Sequence, residues 1–246
     1  MSESLIIPNW SVPSTVRAVS TTRLGGVSDT PWHALNLGSH VGDDREAVNR
    51  NRGLLTEIAQ LPSEPFWLNQ IHSARVVETA AAASNGVPDA DASFTREAGK
   101  VCVVMTADCL PVLFTNRQGT QVAAAHAGWR GLCDGVLENT LNTFDCPPEE
   151  IIAWIGPAIG PRAFEVGAEV REAFVKAQHA AEQCFVAHGD KYLADLPELA
   201  KLRLQRAGVE AIHQSQRCTF SEAEHFFSYR RDGQTGRMAS LIWIAE

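Results

Sequence analysis

Three short segments set a metal-capable or nucleophilic side chain among small neighbours: Gln70-Ile71-His72-Ser73-Ala74, Thr106-Ala107-Asp108-Cys109-Leu110-Pro111 and Ala125-His126-Ala127-Gly128-Trp129-Arg130-Gly131. Imidazole and thiolate both bind metals, and a thiolate next to an imidazole is equally a nucleophile with its base. Small residues around such groups leave room for a ligand or substrate to reach the backbone. Each segment alone also has a plainer reading. A histidine at a strand end often serves as a hydrogen-bonded part of the fold, and a cysteine in a buried strand is a small inert hydrophobe. Metal binding and thiol chemistry are both open from the residues themselves.

The elements that must carry these segments are strands that break next to them. Val101 to Met105 is a continuous apolar run of the kind buried on both faces, and Leu110 to Phe114 resumes it after Thr106-Ala107-Asp108-Cys109. Gln121 to Ala125 is a second such strand. It leads into His126, after which Leu132, Val136, Leu137, Leu141 and Phe144 repeat at helical spacing. Phe66 to Gln70 and Arg75 to Glu78 are short strand pieces around His72, and 85–91 is a polar loop.

Upstream, Val16 to Thr21 is a strand entering the loop Arg23-Leu24-Gly25-Gly26-Val27-Ser28, whose glycines permit positive φ and close approach to a ligand. Asp43 and Glu46 have capping-box form for a helix reaching about Leu61. Downstream, Ile151 to Ile155 is a strand and Ala168 to Ala177 a helix. Asp195, Pro197, Glu198 and Gly208 bracket another helix. Phe226 to Arg230 and Arg237 to Ile244 read as a hairpin around Asp232-Gly233-Gln234-Thr235-Gly236. Helices alternating with strands and closed by an antiparallel hairpin give an α/β or α+β chain with mixed sheets.

The composition narrows the function. In 246 residues, 45% are hydrophobic and 21 Lys and Arg face 29 Asp and Glu, a net charge of −8. That is a globular chain whose charge opposes a broad grip on nucleic acid or anionic membrane. No apolar run approaches a bilayer span, no signal sequence opens the chain, and the six cysteines form no C-x-x-C pair, so a cytoplasmic protein with free thiols is expected. Nor is there a P-loop, a G-x-G-x-x-G after a strand, an H-E-x-x-H, a zinc-deaminase H-x-E with P-C-x-x-C, or a G-x-S-x-G. Any metal therefore uses ligands scattered along the chain.

NQIHSARV, TADCLPVLF and AAAHAGWRGL, with STTRLGGVS near the start and FFSYRRDGQTGRMASLIWI near the end, resemble the YfiH or laccase-domain family, first described as multicopper polyphenol oxidases and later as purine nucleoside phosphorylases. The likeness runs from about residue 16 to 245, with all five motifs in order. It implies a single domain over 1–246 with a four-layer α/β/β/α fold, residues 1–15 forming a looser N-terminal segment. It further implies Zn²⁺ held by His72, Cys109 and His126, with no departure from the family triad. The implied reaction is phosphorolysis of adenosine, inosine and methylthioadenosine, with some adenosine deamination, by a monomer or homodimer.

The implied ligand set makes chemical sense. Two imidazoles and one thiolate leave zinc an open fourth position and a net charge of about +1, which attracts phosphate. A further anion partner is then needed. Arg23 before the paired glycines and Arg130 in Gly128-Trp129-Arg130-Gly131 are the candidates, because a guanidinium binds two phosphate oxygens at once. Trp129 is a candidate to stack the base, and Asp108, placed on the opposite strand face, is a weaker one for the site.

Three other readings compete. A Cys109–His126 amidase, acting on peptidoglycan precursors, uses the same atoms without metal. A copper-dependent polyphenol oxidase is the second. True laccase centres need many histidines in His-x-His pairs, and this chain has 8 His with none so paired. A single copper remains arguable under copper loading, with Met105 four residues before Cys109 and so on its strand face as a weak fourth ligand. The third is a metal-binding scaffold without turnover, for which an open three-ligand site is a poor design.

Overall fold

The computed structural model describes residues 3–82 and 86–245. Its strands are β1 (Leu5–Ile6), β2 (Val16–Thr21), β3 (Val76–Glu78), β4 (Ala92–Thr95), β5 (Val101–Thr106), β6 (Leu110–Asn116), β7 (Val122–Ala127), β8 (Ile151–Ile155), β9 (Glu165–Val166), β10 (Phe185–His188), β11 (Lys191–Ala194), β12 (Ala211–Gln214) and β13 (Met238–Ile244). Its helices are α1 (Arg45–Ile58), α2 (Trp129–Cys133), α3 (Val136–Leu141), α4 (Ala168–Ala177), α5 (Leu196–Arg206) and α6 (Tyr229–Asp232).

Two sheets face each other, one ordered β1-β2-β13-β5 and one β12-β8-β6-β7-β4-β3, with a small β10-β11-β9 sheet beside them. The larger sheet is mixed, β12–β8 and β3–β4 being parallel and the rest antiparallel. Side chains alternate across each strand, so every central strand feeds two cores. Cys102, Val104, Ile242 and Val16 of the first sheet meet Leu113, Ala124 and Trp154 of the second. Val101, Val103 and Leu241, on the reverse of the first sheet, pack on Leu55 of α1. Val112, Phe114 and Ala125, on the reverse of the second, pack on Leu132, Leu137, Phe174 and Leu199 of the helices α2 to α5. The result is the four-layer α/β/β/α arrangement within a single domain. Burial on both faces is why β5, β6, β7, β8 and β13 read as unbroken apolar runs.

β5 and β6 look like one interrupted strand in sequence, yet they lie in different sheets. The chain crosses between sheets at Ala107, Asp108 and Cys109, with Asp108 in the left-handed region at φ 86°. The even spacing of Met105 and Cys109 therefore carries no face relationship, and Asp108 lies on no strand face. Its carboxylate accepts from Thr219 Oγ1 at 2.7 Å, Ser228 Oγ at 3.0 Å and the Arg230 amide at 2.6 Å.

That last contact explains why the expected terminal hairpin does not form. Ser228 caps α6, Phe226 and Phe227 are buried against Ala107 and Met238, and β13 runs antiparallel between β2 and β5. A Cβ on Gly236 would fall 2.6 Å from the Phe227 ring, so only glycine lets the loop pass there.

Three other expectations shift. The cap of α1 is Asp44, which accepts from Ala47, because Asp43 is occupied by Ser28 and Asn36. Gly135, at φ 95°, breaks the helical repeat into α2 and α3. In the 23–28 loop a Cβ on Gly26 would lie 2.3 Å from the Ala34 carbonyl, so the close approach is to the chain's own backbone instead of a ligand. α5 lies where its flanking signals place it, with Asp195 accepting from Glu198. The start of the 85–91 loop, Asn85, lies outside the described residues. Near the N-terminus β1 pairs with β2, and Trp10 and Val12 pack against the inter-sheet core.

Candidate metal centre

The crossover, the end of β7 and the 70–73 loop converge at one end of the two sheets. One nitrogen or sulfur atom from each of His72, Cys109 and His126 lies within 4.8 Å of the others. Cys109 Sγ is 3.8 Å from His72 Nε2, and the two imidazole rings are 4.9 Å apart, edge to face. His126 is buried, Cys109 half-buried and His72 exposed. The group is the one such His, Cys, Asp or Glu cluster found among the described residues.

Asp91 holds the cluster together. Fully buried, it accepts from the His72 amide at 3.0 Å, from Ser73 N at 2.6 Å and Oγ at 2.7 Å, and from His126 Nδ1 at 2.8 Å. One carboxylate thus fixes the loop that presents His72, itself at φ 60°, and the tautomer of His126, whose Nε2 is left for a metal. Gln70 ties the same loop to β5, its amide exchanging two hydrogen bonds with the Met105 backbone at 2.8 and 2.7 Å. The small residues near the cluster serve the ligands themselves. A Cβ on Gly128 would lie 2.7 Å from His72 Cδ2 and 3.2 Å from Cys109 Sγ.

Electrostatics follow from this packing. Burial alone would raise the Cys109 thiol, but the imidazoles of His126 and His72 outweigh it and bring it down to about 6. Burial would lower His126, but the Cys109 thiolate and the Asp91 hydrogen bond raise it to about 9. Asp91 is held below the ordinary carboxylate range because the bonds from His126 and Ser73 overcome its burial. Without a metal the centre is a thiolate–imidazolium pair on a carboxylate. A thiolate and two nitrogens in coordination reach of one another, one nitrogen backed by a carboxylate, form a donor set that suits zinc.

The cluster forms one side of a cavity of about 420 Å³. His40, Tyr229 and Arg237 line the same cavity, as do Gln70, Met105 and Thr106. The other sequence candidates lie off this cavity. Arg130 is exposed on α2 with its guanidinium 4.5 Å from the Trp129 ring, and Trp129 packs against the helical core. Arg23 donates to the His33 and Ala223 carbonyls and stacks on Phe227. Asp91, His40, Tyr229 and Arg237 were not singled out from sequence. Asp91 sat in an unremarkable polar loop, and the others become neighbours only through the fold.

The match to known proteins covers nearly the whole chain. Residues 17–245 fit the family model described as multi-copper polyphenol oxidoreductase laccase. A purine nucleoside phosphorylase YfiH of Escherichia coli (strain K12) is 57% identical over 244 residues, covering 98% of both chains. One from Pseudomonas aeruginosa, named a purine nucleoside phosphorylase, is 52% identical over 243 residues, again covering 98% of each. Among solved structures, Neisseria meningitidis protein NMB0706 superimposes with a TM-score of 0.95 at 51% identity, covering 99% of this chain and 100% of its own. The Bacillus licheniformis hypothetical protein YfiH gives 0.91 at 30%, covering 99% and 97%.

Proposed function

The chain belongs to the family described as multi-copper polyphenol oxidoreductase laccase, on its YfiH side, and from that premise we propose that it is a zinc-dependent purine nucleoside phosphorylase. The observation that carries this reading is the convergence of His72, Cys109 and His126 on a cavity of about 420 Å³. Cavities that enclose small ligands span roughly 300 to 1,000 Å³, room for a nucleoside with phosphate.

In the proposed reaction a phosphate oxygen forms a bond to C1′ of the ribose. The bond from C1′ to the purine nitrogen breaks, its electron pair leaving with the base, which takes up a proton. The products are ribose 1-phosphate and free base. Zinc, when bound by His72, Cys109 and His126, supplies a fixed positive charge that attracts and orients oxyanions. The chain's own part is to hold that charge still. Asp91 keeps the proton on Nδ1 of His126, and Gln70 and Gly128 set the position of His72. Adenosine, inosine and methylthioadenosine are the proposed substrates. Adenosine deamination, in which water adds at C6 and ammonia leaves, is a side activity of the same cavity.

Six free thiols suit the cytoplasm, where we place the protein, and none of the described helices is long and apolar enough to cross a membrane. The multicopper reading has less support, since the His72, Cys109 and His126 group supplies donors for one ion. Met105, the fourth donor of a single-copper reading, lines the cavity but packs in the core with Val103 and Leu55.

One observation favours a second reading. Cys109, His126 and Asp91 stand in the order nucleophile, base and orienting carboxylate, which would serve a metal-free amidase. Base release from inosine, measured with and without phosphate, decides between them. A phosphorylase releases hypoxanthine only with phosphate present; phosphate-independent release, or none, removes the proposal.

A further inference from the structure

The His72, Cys109 and His126 cluster shares its cavity with an arginine. Arg237 is the one Lys or Arg among the lining residues, and no Asp or Glu is among them. Its Nη1 donates to the carbonyls of Thr235 and Gly236, both at 3.0 Å, which fixes the plane of the guanidinium. No hydrogen bond from Nε or Nη2 and no ion pair is found for it among the described residues. Arg231, by contrast, spends its donors on three carbonyls and on Asp232, and Arg203 is paired with Glu138.

A half-buried guanidinium stays charged and loses hydration without a fixed anion to replace it. His40 lines the same wall, and Tyr229 lies 6.0 Å from the guanidinium. The loop carrying His40 is registered on Arg237. The Arg237 amide donates to Asn36 Oδ1 at 2.9 Å, the Leu37 amide donates to the Arg237 carbonyl at 3.2 Å, and a Cβ on Gly38 would lie 2.8 Å from Arg237 Cγ.

We propose that Arg237, with His40 beside it, is the subsite that holds inorganic phosphate in the cavity of the metal cluster; this rests on the phosphorylase reading given above. Charge supports it. Zinc on one thiolate leaves about +1, Arg237 adds another, and the phosphate dianion balances the two. Geometry supports it as well, because Nε and Nη2 form the edge of a guanidinium that binds two oxygens of one phosphate. His40, whose pKa is lowered by burial and by the nearby charges of Arg237 and Arg52, stays neutral near pH 7 and has one N–H to donate.

The test compares the wild type with Arg237→Met. Steady-state phosphorolysis gives separate KM values for phosphate and inosine. Calorimetry with inorganic phosphate on the zinc-loaded protein gives binding without turnover, and metal analysis gives occupancy. The proposal expects the variant to weaken phosphate by roughly ten- to hundredfold in both KM and Kd, the loss of a charge-assisted pair. Inosine KM and zinc content should stay within about twofold. An unchanged phosphate KM or Kd in a folded, zinc-loaded variant overturns it. If Arg237→Met does not fold, Arg237→Lys keeps the charge without the fork, and the same rise or its absence decides. Should the wild type bind phosphate through Arg237 but release no base, the subsite stands and the phosphorylase reading falls.

Discussion

The side of the cavity that carries His72, Cys109 and His126 is tied down by Asp91 and Gln70, whereas the side that carries His40, Tyr229 and Arg237 keeps polar groups unspent. On the first, Asp91 alone accepts from three amides, a hydroxyl and an imidazole. On the second, His40 is exposed, Tyr229 is 61% exposed and part of the Arg237 fork has no protein partner. A metal needs its ligands placed before it arrives, and Asp91 and Gln70 place them. A substrate that must enter and leave is better served by groups whose hydrogen-bonding capacity is unspent.

Substitutions on the two sides should separate metal from phosphate. The largest effect belongs to the firm side. His126→Ala removes a ligand and leaves Asp91 buried without its imidazole, so zinc should be lost on purification and base release should fall by roughly a thousandfold or more. Metal analysis beside the activity assay checks it, and a zinc-loaded, active variant would break the contrast.

Asp91→Asn comes next. The amide keeps the shape but offers an N–H where five donors already converge. Zinc affinity should drop by roughly ten- to hundredfold, read by competition with a chelating dye, with phosphate KM little changed once zinc saturates.

A pH series on chelator-stripped protein sharpens the comparison. With its thiol brought down to about 6, Cys109 is ionised at neutral pH. Its alkylation should be constant above that value and slow about tenfold per pH unit below it. Cys102, pushed up to about 12 by burial, should not react until the protein unfolds. Mass spectrometry of the labelled peptides tests both.

The smallest effect lies on the open side. Gly38→Ala should push the Arg237 side chain aside and raise phosphate KM by roughly three- to tenfold, leaving zinc content unchanged. A loss of zinc instead would show that the two sides do not act separately.

The same division decides what was legible in the chain. β5, β6, β7 and β8 were readable because burial on both faces demands continuous apolar runs, and α5 because its cap and terminal glycine are local signals. His72, Cys109 and His126 stood out only as metal-capable side chains at strand ends; their convergence was an expectation taken from resemblance. Asp91 was invisible, because a carboxylate in a polar loop looks the same whether it is solvated or accepts five hydrogen bonds. Arg23 and Arg130 stand near glycines in sequence, but the fold places a backbone crossing at Gly26 and helix α2 at Arg130, and neither arginine lines the cavity. The hairpin failed because 229–232 turns into α6, capped by Ser228 and held at the Arg230 amide by Asp108, more than a hundred residues away.

The most direct test is base release from inosine with phosphate by a single preparation, measured as purified, after exhaustive chelation, and after stoichiometric zinc is returned. The account predicts activity lost with the metal and restored with it. Full phosphorolysis by the stripped protein would contradict it, leaving Cys109, His126 and Asp91 to act without an ion.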